Sequence, residues 1–159
     1  METLLNGSET HAAFHVGELS EIAAARRASG EIARRLGFDE TRAGQLALVV
    51  TEAATNIVKH AHEGEILLRS VMQDGRKGVE VMAIDSGPGM ANVEALMADG
   101  TSTAGTYGVG LGAISRLSHQ FDIYSAPGKG TVLSMMVWDA DGDVAQPEWE
   151  VGAVCLAMP

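Results

Sequence analysis

The chain has 159 residues, 46% of them hydrophobic and 20% charged, which suits one packed domain with a short appendage and argues against wholesale disorder. Eleven Lys and Arg stand against 21 Asp and Glu, and the resulting formal charge of −10 repels phosphate backbones and anionic lipid surfaces, so no nucleic acid and no membrane are expected as partners. The one cysteine, Cys155, cannot form an internal disulfide, the start of the chain lacks a basic segment followed by an apolar run, and no stretch approaches the roughly 20 apolar residues that cross a bilayer; a cytoplasmic setting is expected.

In chain order, residues 12–16 suit a short strand, and Leu19, Ile22, Ala23, Arg26, Ala33 and Leu36 recur at helical intervals until Gly37. Asp39 is the expected N-cap of a long second helix, whose apolar stripe runs through Leu46, Val49, Val50, Ala53, Ile57 and Ala61. The apolar segments 65–72 and 78–85 are separated by Asp74-Gly75, a dipeptide that tolerates positive φ, and they predict an antiparallel hairpin. After Gly87-Pro88-Gly89 come a short helix near 92–98 and a Gly/Ser/Thr-rich loop over 99–108 with little to bury. Helical spacing returns over 110–119 through Leu111, Ile114 and Leu117, and strands at 121–125 and 131–138 flank the turn Pro127-Gly128-Lys129-Gly130. Helices that precede and interrupt hairpin-joined strands point to an α/β fold, a two-layer sandwich with a mixed, mostly antiparallel sheet and helices on one face. The domain is expected to occupy residues 1–138. Residues 139–159 then form an acidic linker and a short apolar segment, 151–157, that lacks a partner.

Three groups of residues could carry chemistry. Glu52 and Asn56 lie four apart on the second helix and so project from one side, although the same spacing also suits a solvated polar face. Asp85, in Asp85-Ser86-Gly87-Pro88-Gly89-Met90, ends an apolar strand where a carboxylate can accept from an exocyclic amine and glycines let backbone approach; an Asx-type turn is the alternative. Gly105-Thr106-Tyr107-Gly108-Val109-Gly110-Leu111-Gly112 places glycines at a helix entrance, where free amides and the helix dipole favour a phosphate, or else forms a plain flexible loop. Its spacing is neither that of a P-loop nor that of a dinucleotide fingerprint. Lys59, Arg116 and Lys129 are the nearest basic candidates for offsetting phosphate charge, and the sequence does not place them.

Taken in order, these elements resemble the GHKL superfamily of ATP-binding domains: TEAATNIVKHA as the N-box, DSGPGM as the G1 box, GTYGVGLG as the G2 box and GKGT at 128–131 as the last element. Within it, the glutamate at the first N-box position and the stretch from ADGTSTAG to GKGT resemble the anti-sigma-factor serine/threonine kinase group, and there the switch kinases of bacterial stressosomes. The resemblance implies ATP and Mg²⁺ as cofactors. Asn56 would hold the metal, Asp85 would bind the adenine amino group and Thr131 would support the base edge. Gly87 and Gly89 would shape the pocket floor. The segment with Gly105, Gly108, Gly110, Leu111 and Gly112 would bind the phosphates, the amides of Gly108, Gly110 and Gly112 forming the cradle. Glu52 would be the general base, taking a proton from a serine or threonine hydroxyl during phosphoryl transfer.

By the same resemblance the partner is a STAS-domain antagonist or an RsbR-like scaffold, with a sigma factor or a PP2C-type phosphatase as further partners and a homodimer compatible with the apolar tail. The alternative is an ATP-binding regulatory module that sequesters or activates a partner with little catalysis; Glu52 favours the kinase. The ending EVGAVCLAMP resembles the first strand of a SpoIIE-type PP2C phosphatase domain, which implies a longer kinase–phosphatase chain; a strand added to the sheet edge or a dimer contact is the other reading.

Overall fold

The computed structural model describes residues 3–6, 9–99 and 108–141. The elements are β1 (Thr3–Asn6), β2 (Glu9–Val16), α1 (Leu19–Leu36), α2 (Glu40–Asn56), one wide π turn (Ile57–Ala61), β3 (Gly64–Gln73), β4 (Arg76–Asp85), α3 (Val93–Asp99), α4 (Gly108–Leu117), β5 (Gln120–Ser125) and β6 (Thr131–Trp138). The strands form a six-stranded sheet in the order β1-β2-β3-β4-β6-β5. Where the sequence suggests a mixed sheet, every described pair is antiparallel. The reason is visible between β2 and β3, where two helices return the chain for antiparallel pairing; a single crossover helix would have set the strands parallel.

Local chemistry fixes the element ends. The Glu21 carboxylate accepts from the Gly17 and Glu18 amides at the start of α1, and Gly37 closes that helix in the left-handed region at φ 77°. Asp39 Oδ1 accepts from the Arg42 amide at 2.7 Å, the expected cap of α2. Asp74 and Gly75 both have positive φ, 52° and 78°, so the β3–β4 hairpin closes through two residues. Two features were not legible in advance. The edge strand β1 pairs with β2, which itself extends back to Glu9, and the second helix widens after Asn56 into the π turn instead of continuing to Ala61 as a regular helix.

One face of the sheet packs on the helices. Ile66 and Leu68 of β3, Val79, Val81 and Ala83 of β4, and Leu133, Met135 and Val137 of β6 form a single core with Leu46, Val49, Val50 and Ala53 of α2 and Leu111 and Ile114 of α4. Each large aliphatic side chain buried there contributes about 1.5–3 kcal/mol. Trp138 is buried against Gly78, with the Arg76 guanidinium 4.9 Å from its ring centroid. Just past β6, the Asp141 carboxylate bonds both Arg42 on the first turn of α2 and His119 before β5, tying the end of the sheet to the helical layer. The segment 151–157, and the resemblance drawn from it, lie outside the described residues. Among those residues no helix is long and apolar enough to cross a membrane.

Candidate functional site

The last turn of α2 carries Glu52 and Asn56, and both face the first turn of α4. A Cβ at Gly110 would lie 3.1 Å from Asn56 Oδ1, 3.3 Å from Asn56 Nδ2 and 3.4 Å from Glu52 Oε2. The absence of a side chain at Gly110 therefore keeps a carboxylate, a carboxamide and the amino end of a helix at close quarters. Asn56 is buried, 9% exposed, and its Nδ2 has no hydrogen-bond partner. A buried amide donor left unmatched costs about 1–3 kcal/mol, so Nδ2 is placed to give a hydrogen bond to an acceptor such as a phosphate oxygen.

The second half of the site comes from the sheet. Strand register places Asp85 of β4, Thr131 of β6 and Ser125 of β5 side by side across three neighbouring strands. Asp85 Oδ1 accepts from the Gly87 amide at 2.9 Å, so the Asx-type turn does form. A carboxylate has two oxygens and about four acceptor positions, so the turn leaves acceptor capacity for a ligand. Gly130 holds φ 78° with its Cα against the Asp85 carbonyl and the Ser86 Cα, a place no side chain could take; Gly89 packs in the same way on the Ala126 carbonyl. The Gly128 amide donates to the Pro88 carbonyl at 2.7 Å, so the turn after Asp85 and the turn before Thr131 are one unit.

The π turn joins the halves. It carries Ile57 onto Gly64, the residue opposite Asp85 on β3, and seats Ala61 against Gly87. Wide turns of this kind cluster at functional sites because they re-aim side chains without ending the helix. Burial raises the Asp85 carboxyl above the ordinary carboxylate range, although the Gly87 and Thr131 amides and the nearby His60 favour its charged form. Burial and the Lys59 charge lower His60, while Asp85 acts in the opposite sense.

Of the residues singled out from sequence, Glu52, Asn56 and Gly110 converge, and Asp85, Gly87, Gly89 and Thr131 form the other wall. Gly108 opens α4, Leu111 is buried in the core beneath it, and Gly112 lies one turn from Arg116, whose Nη1 would stand 3.2 Å from a Cβ there. That contact turns a cation back along α4. Lys129 stays exposed in its turn. Gly105 lies outside the described residues. Sequence reasoning passed over Ser125 and the role of Ala61; the signal for the first is a strand-ending serine ahead of Pro127-Gly128-Lys129-Gly130-Thr131.

Among the described residues no three His, Cys, Asp or Glu groups cluster to hold a metal ion on their own. The residues present fit a divalent cation shared with a polyphosphate through Asn56 Oδ1 alone: that atom would offer one hard oxygen, the remaining ligands would come from phosphates and water, and the unmatched Nδ2 beside it is a donor suited to a phosphate oxygen.

Residues 16–137 match the histidine kinase-like ATPase domain family. The chain is 35% identical over 118 residues to the serine/threonine-protein kinase RsbT of Bacillus subtilis (strain 168), covering 74% of this chain and 89% of that protein. It is 34% identical over 92 residues to the anti-sigma F factor of Caldanaerobacter subterraneus subsp. tengcongensis, covering 54% of this chain and 63% of that one. In fold it is similar to the RsbU and RsbW domains of Rv1364c from Mycobacterium tuberculosis, at a TM-score of 0.51 and 16% identity over 79% of this chain and 32% of that one. It is also similar to a chain of the SiaB-SiaC complex from Pseudomonas aeruginosa, at a TM-score of 0.53 and 14% identity over 80% and 89%. The chain thus belongs to the histidine kinase-like ATPase domain family and is a homologue of a serine/threonine-protein kinase.

Proposed function

We propose that the chain binds ATP with Mg²⁺ between the Glu52–Asn56 turn and the Asp85–Thr131 row, and transfers the γ-phosphoryl group to a serine or threonine hydroxyl of a STAS-domain protein. It would act as a switch kinase in bacterial partner-switching signalling, in the cytoplasm. The observation that carries this reading is the convergence of Glu52 and Asn56 on Gly110 at the first turn of α4. A carboxylate, a buried amide with an unmatched Nδ2 and the amino end of α4 meet where a triphosphate would end.

In this reading Asp85 accepts from the exocyclic amine of adenine, Thr131 borders the same edge, and the leading amides of α4 receive the phosphates. Asn56 holds Mg²⁺, which when bound neutralises charge on the phosphate oxygens. Glu52 takes the proton of the attacking hydroxyl as its oxygen bonds the γ-phosphorus; the bond to the bridging oxygen breaks and ADP leaves. Phosphoryl transfer asks the protein mainly for positioning and charge, and this site consists of little else. The relatives named as a serine/threonine-protein kinase and an anti-sigma F factor, and the neighbour solved as a complex of two proteins, support a protein partner. On the same reading residues 1–138 are the nucleotide-binding domain, followed by an acidic linker. The last strand ends at Trp138, past the last motif residue Thr131, and Asp139 to Asp141 are still bonded to the domain through Lys77, Arg76, Arg42 and His119.

The test is transfer of label from γ-labelled ATP with Mg²⁺ to STAS proteins encoded beside the gene. Wild type labels one of them; Glu52→Ala keeps ATP binding and loses labelling by about 10²–10⁴-fold; Asn56→Ala loses both. Unchanged labelling by Glu52→Ala removes the base from the scheme. ATP binding by wild type without transfer to any STAS protein favours the binding module.

A further inference from the structure

Ser125, the last residue of β5, stands in the cross-strand row beside Thr131 with no chemical role assigned so far, and its hydroxyl makes three contacts of equal length. Its Oγ lies 2.9 Å from the Met90 amide nitrogen, 2.9 Å from the Gly130 carbonyl oxygen and 2.9 Å from Thr131 Oγ1. A serine hydroxyl has one proton and two lone pairs. The Met90 N–H can only donate and the Gly130 carbonyl can only accept. For all three contacts to be hydrogen bonds at once, Ser125 gives its proton to Gly130 and one lone pair to Met90. What remains toward Thr131 is the second lone pair, and that bond closes only when the Thr131 hydroxyl donates.

The consequence falls on Thr131, which is buried at 4% exposure and sits between Ser125 and Asp85 in the cross-strand row. Its one proton is committed to Ser125, so its oxygen turns only lone pairs to the rest of the site. Ionised Asp85 is likewise an acceptor only. The row thus offers acceptors and no side-chain donor. It matches an amino group and opposes a keto oxygen, whose lone pairs would meet lone pairs.

We propose that Ser125 is a positioning residue that fixes the Thr131 hydroxyl as an acceptor and so selects a 6-aminopurine nucleotide over a 6-oxopurine nucleotide. This rests on the nucleotide reading given above. Once the serine hydroxyl is removed, the Thr131 proton is free to turn toward a keto oxygen, and discrimination falls. The Met90 amide and the Gly130 carbonyl also lose a partner, which is a cost to folding that binds neither purine in particular.

The test compares the affinities of ATP and inosine triphosphate, each with Mg²⁺, at about pH 8 for wild type, Ser125→Ala, Ser125→Thr, Thr131→Val and the double variant Ser125→Ala/Thr131→Val. These two ligands differ only at the 6-position of the base and the adjacent ring nitrogen. Wild type prefers ATP; Ser125→Ala lowers the ATP-to-inosine ratio about tenfold; Ser125→Thr, which keeps the hydroxyl, restores it. In the Thr131→Val background the serine substitution changes the ratio no further. Should the alanine variant fold poorly, Ser125→Cys, similar in volume but weak as donor and acceptor, gives the same loss of ratio. A Ser125→Ala or Ser125→Cys protein that weakens both nucleotides equally overturns the role of Ser125 while leaving the nucleotide site intact. A wild-type protein that binds neither triphosphate overturns the nucleotide reading itself.

Discussion

Replacing Gly110 by alanine adds one methyl group to the third residue of α4, and its effects on folding and on function should part. The helix gains up to about 1 kcal/mol, because alanine loses less backbone freedom than glycine. Against this, the new Cβ stands 3.1 Å from Asn56 Oδ1 and 3.3 Å from Nδ2, so that side chain must give way by a few tenths of an ångström, and 3.4 Å from Glu52 Oε2, which it touches. Side-chain ends move at modest cost, and the two terms nearly cancel. Thermal unfolding of Gly110→Ala should therefore fall within a few degrees of wild type. The methyl group nevertheless occupies the space shared by the carboxylate, the amide and the leading turn of α4. ATP affinity or transfer rate should fall at least about tenfold, equivalent to about 1.4 kcal/mol. Calorimetric titration and label transfer measure the second effect; scanning calorimetry measures the first. A Gly110→Ala protein that binds and transfers like wild type would refute the idea that the site lies between these three groups.

Gly130→Ala should act on folding instead, since φ 78° and the adjoining Asp85 backbone leave no room for a side chain; a loss of at least about 2 kcal/mol, read from denaturant unfolding, is expected. Asp39→Ala removes the cap bond to Arg42 and should cost about 1 kcal/mol with no change in nucleotide affinity, which separates the far end of α2 from its working end. Because burial raises the Asp85 carboxyl, ATP binding should weaken as pH falls through the mildly acidic range, at a higher pH than an ordinary carboxylate would give; Asp85→Asn flattens the profile and His60→Gln does not. The same shift has the opposite sign for the unliganded fold: the carboxyl's contribution is present below its unfolded pKa and is lost as pH rises through the raised value.

The hairpin over 64–85 could be read from sequence because Asp74-Gly75 supplies both positive φ values and the flanking residues alternate. The pairing of Glu52 with Asn56 was equally open to reading, since four-residue spacing on a helix is local geometry. What they meet was not, because Gly110 is more than fifty positions away, and only packing of α2 on α4 brings it there. Apolar periodicity through Ala61 hid the π turn, as one extra residue per turn barely disturbs a stripe that ends a few positions later. β1 escaped because four residues pair as an edge strand only when β2 is in place, and a strand's preference depends on its neighbour. Ser125 is marked in the sequence only as a strand-ending serine ahead of the turn at 127–130, which does not tell what its hydroxyl meets. Its meaning comes from lying beside Thr131 in the register of β5 on β6.

Titration of wild type, Asn56→Ala and Asp85→Asn with a non-hydrolysable ATP analogue and Mg²⁺, followed by calorimetry, addresses the nucleotide cleft most directly. One saturable site is expected in wild type, weakened about tenfold or more by each substitution, because one removes a contact at the phosphate end and the other at the base. Absence of heat in wild type, or equal affinity in all three proteins, would contradict it.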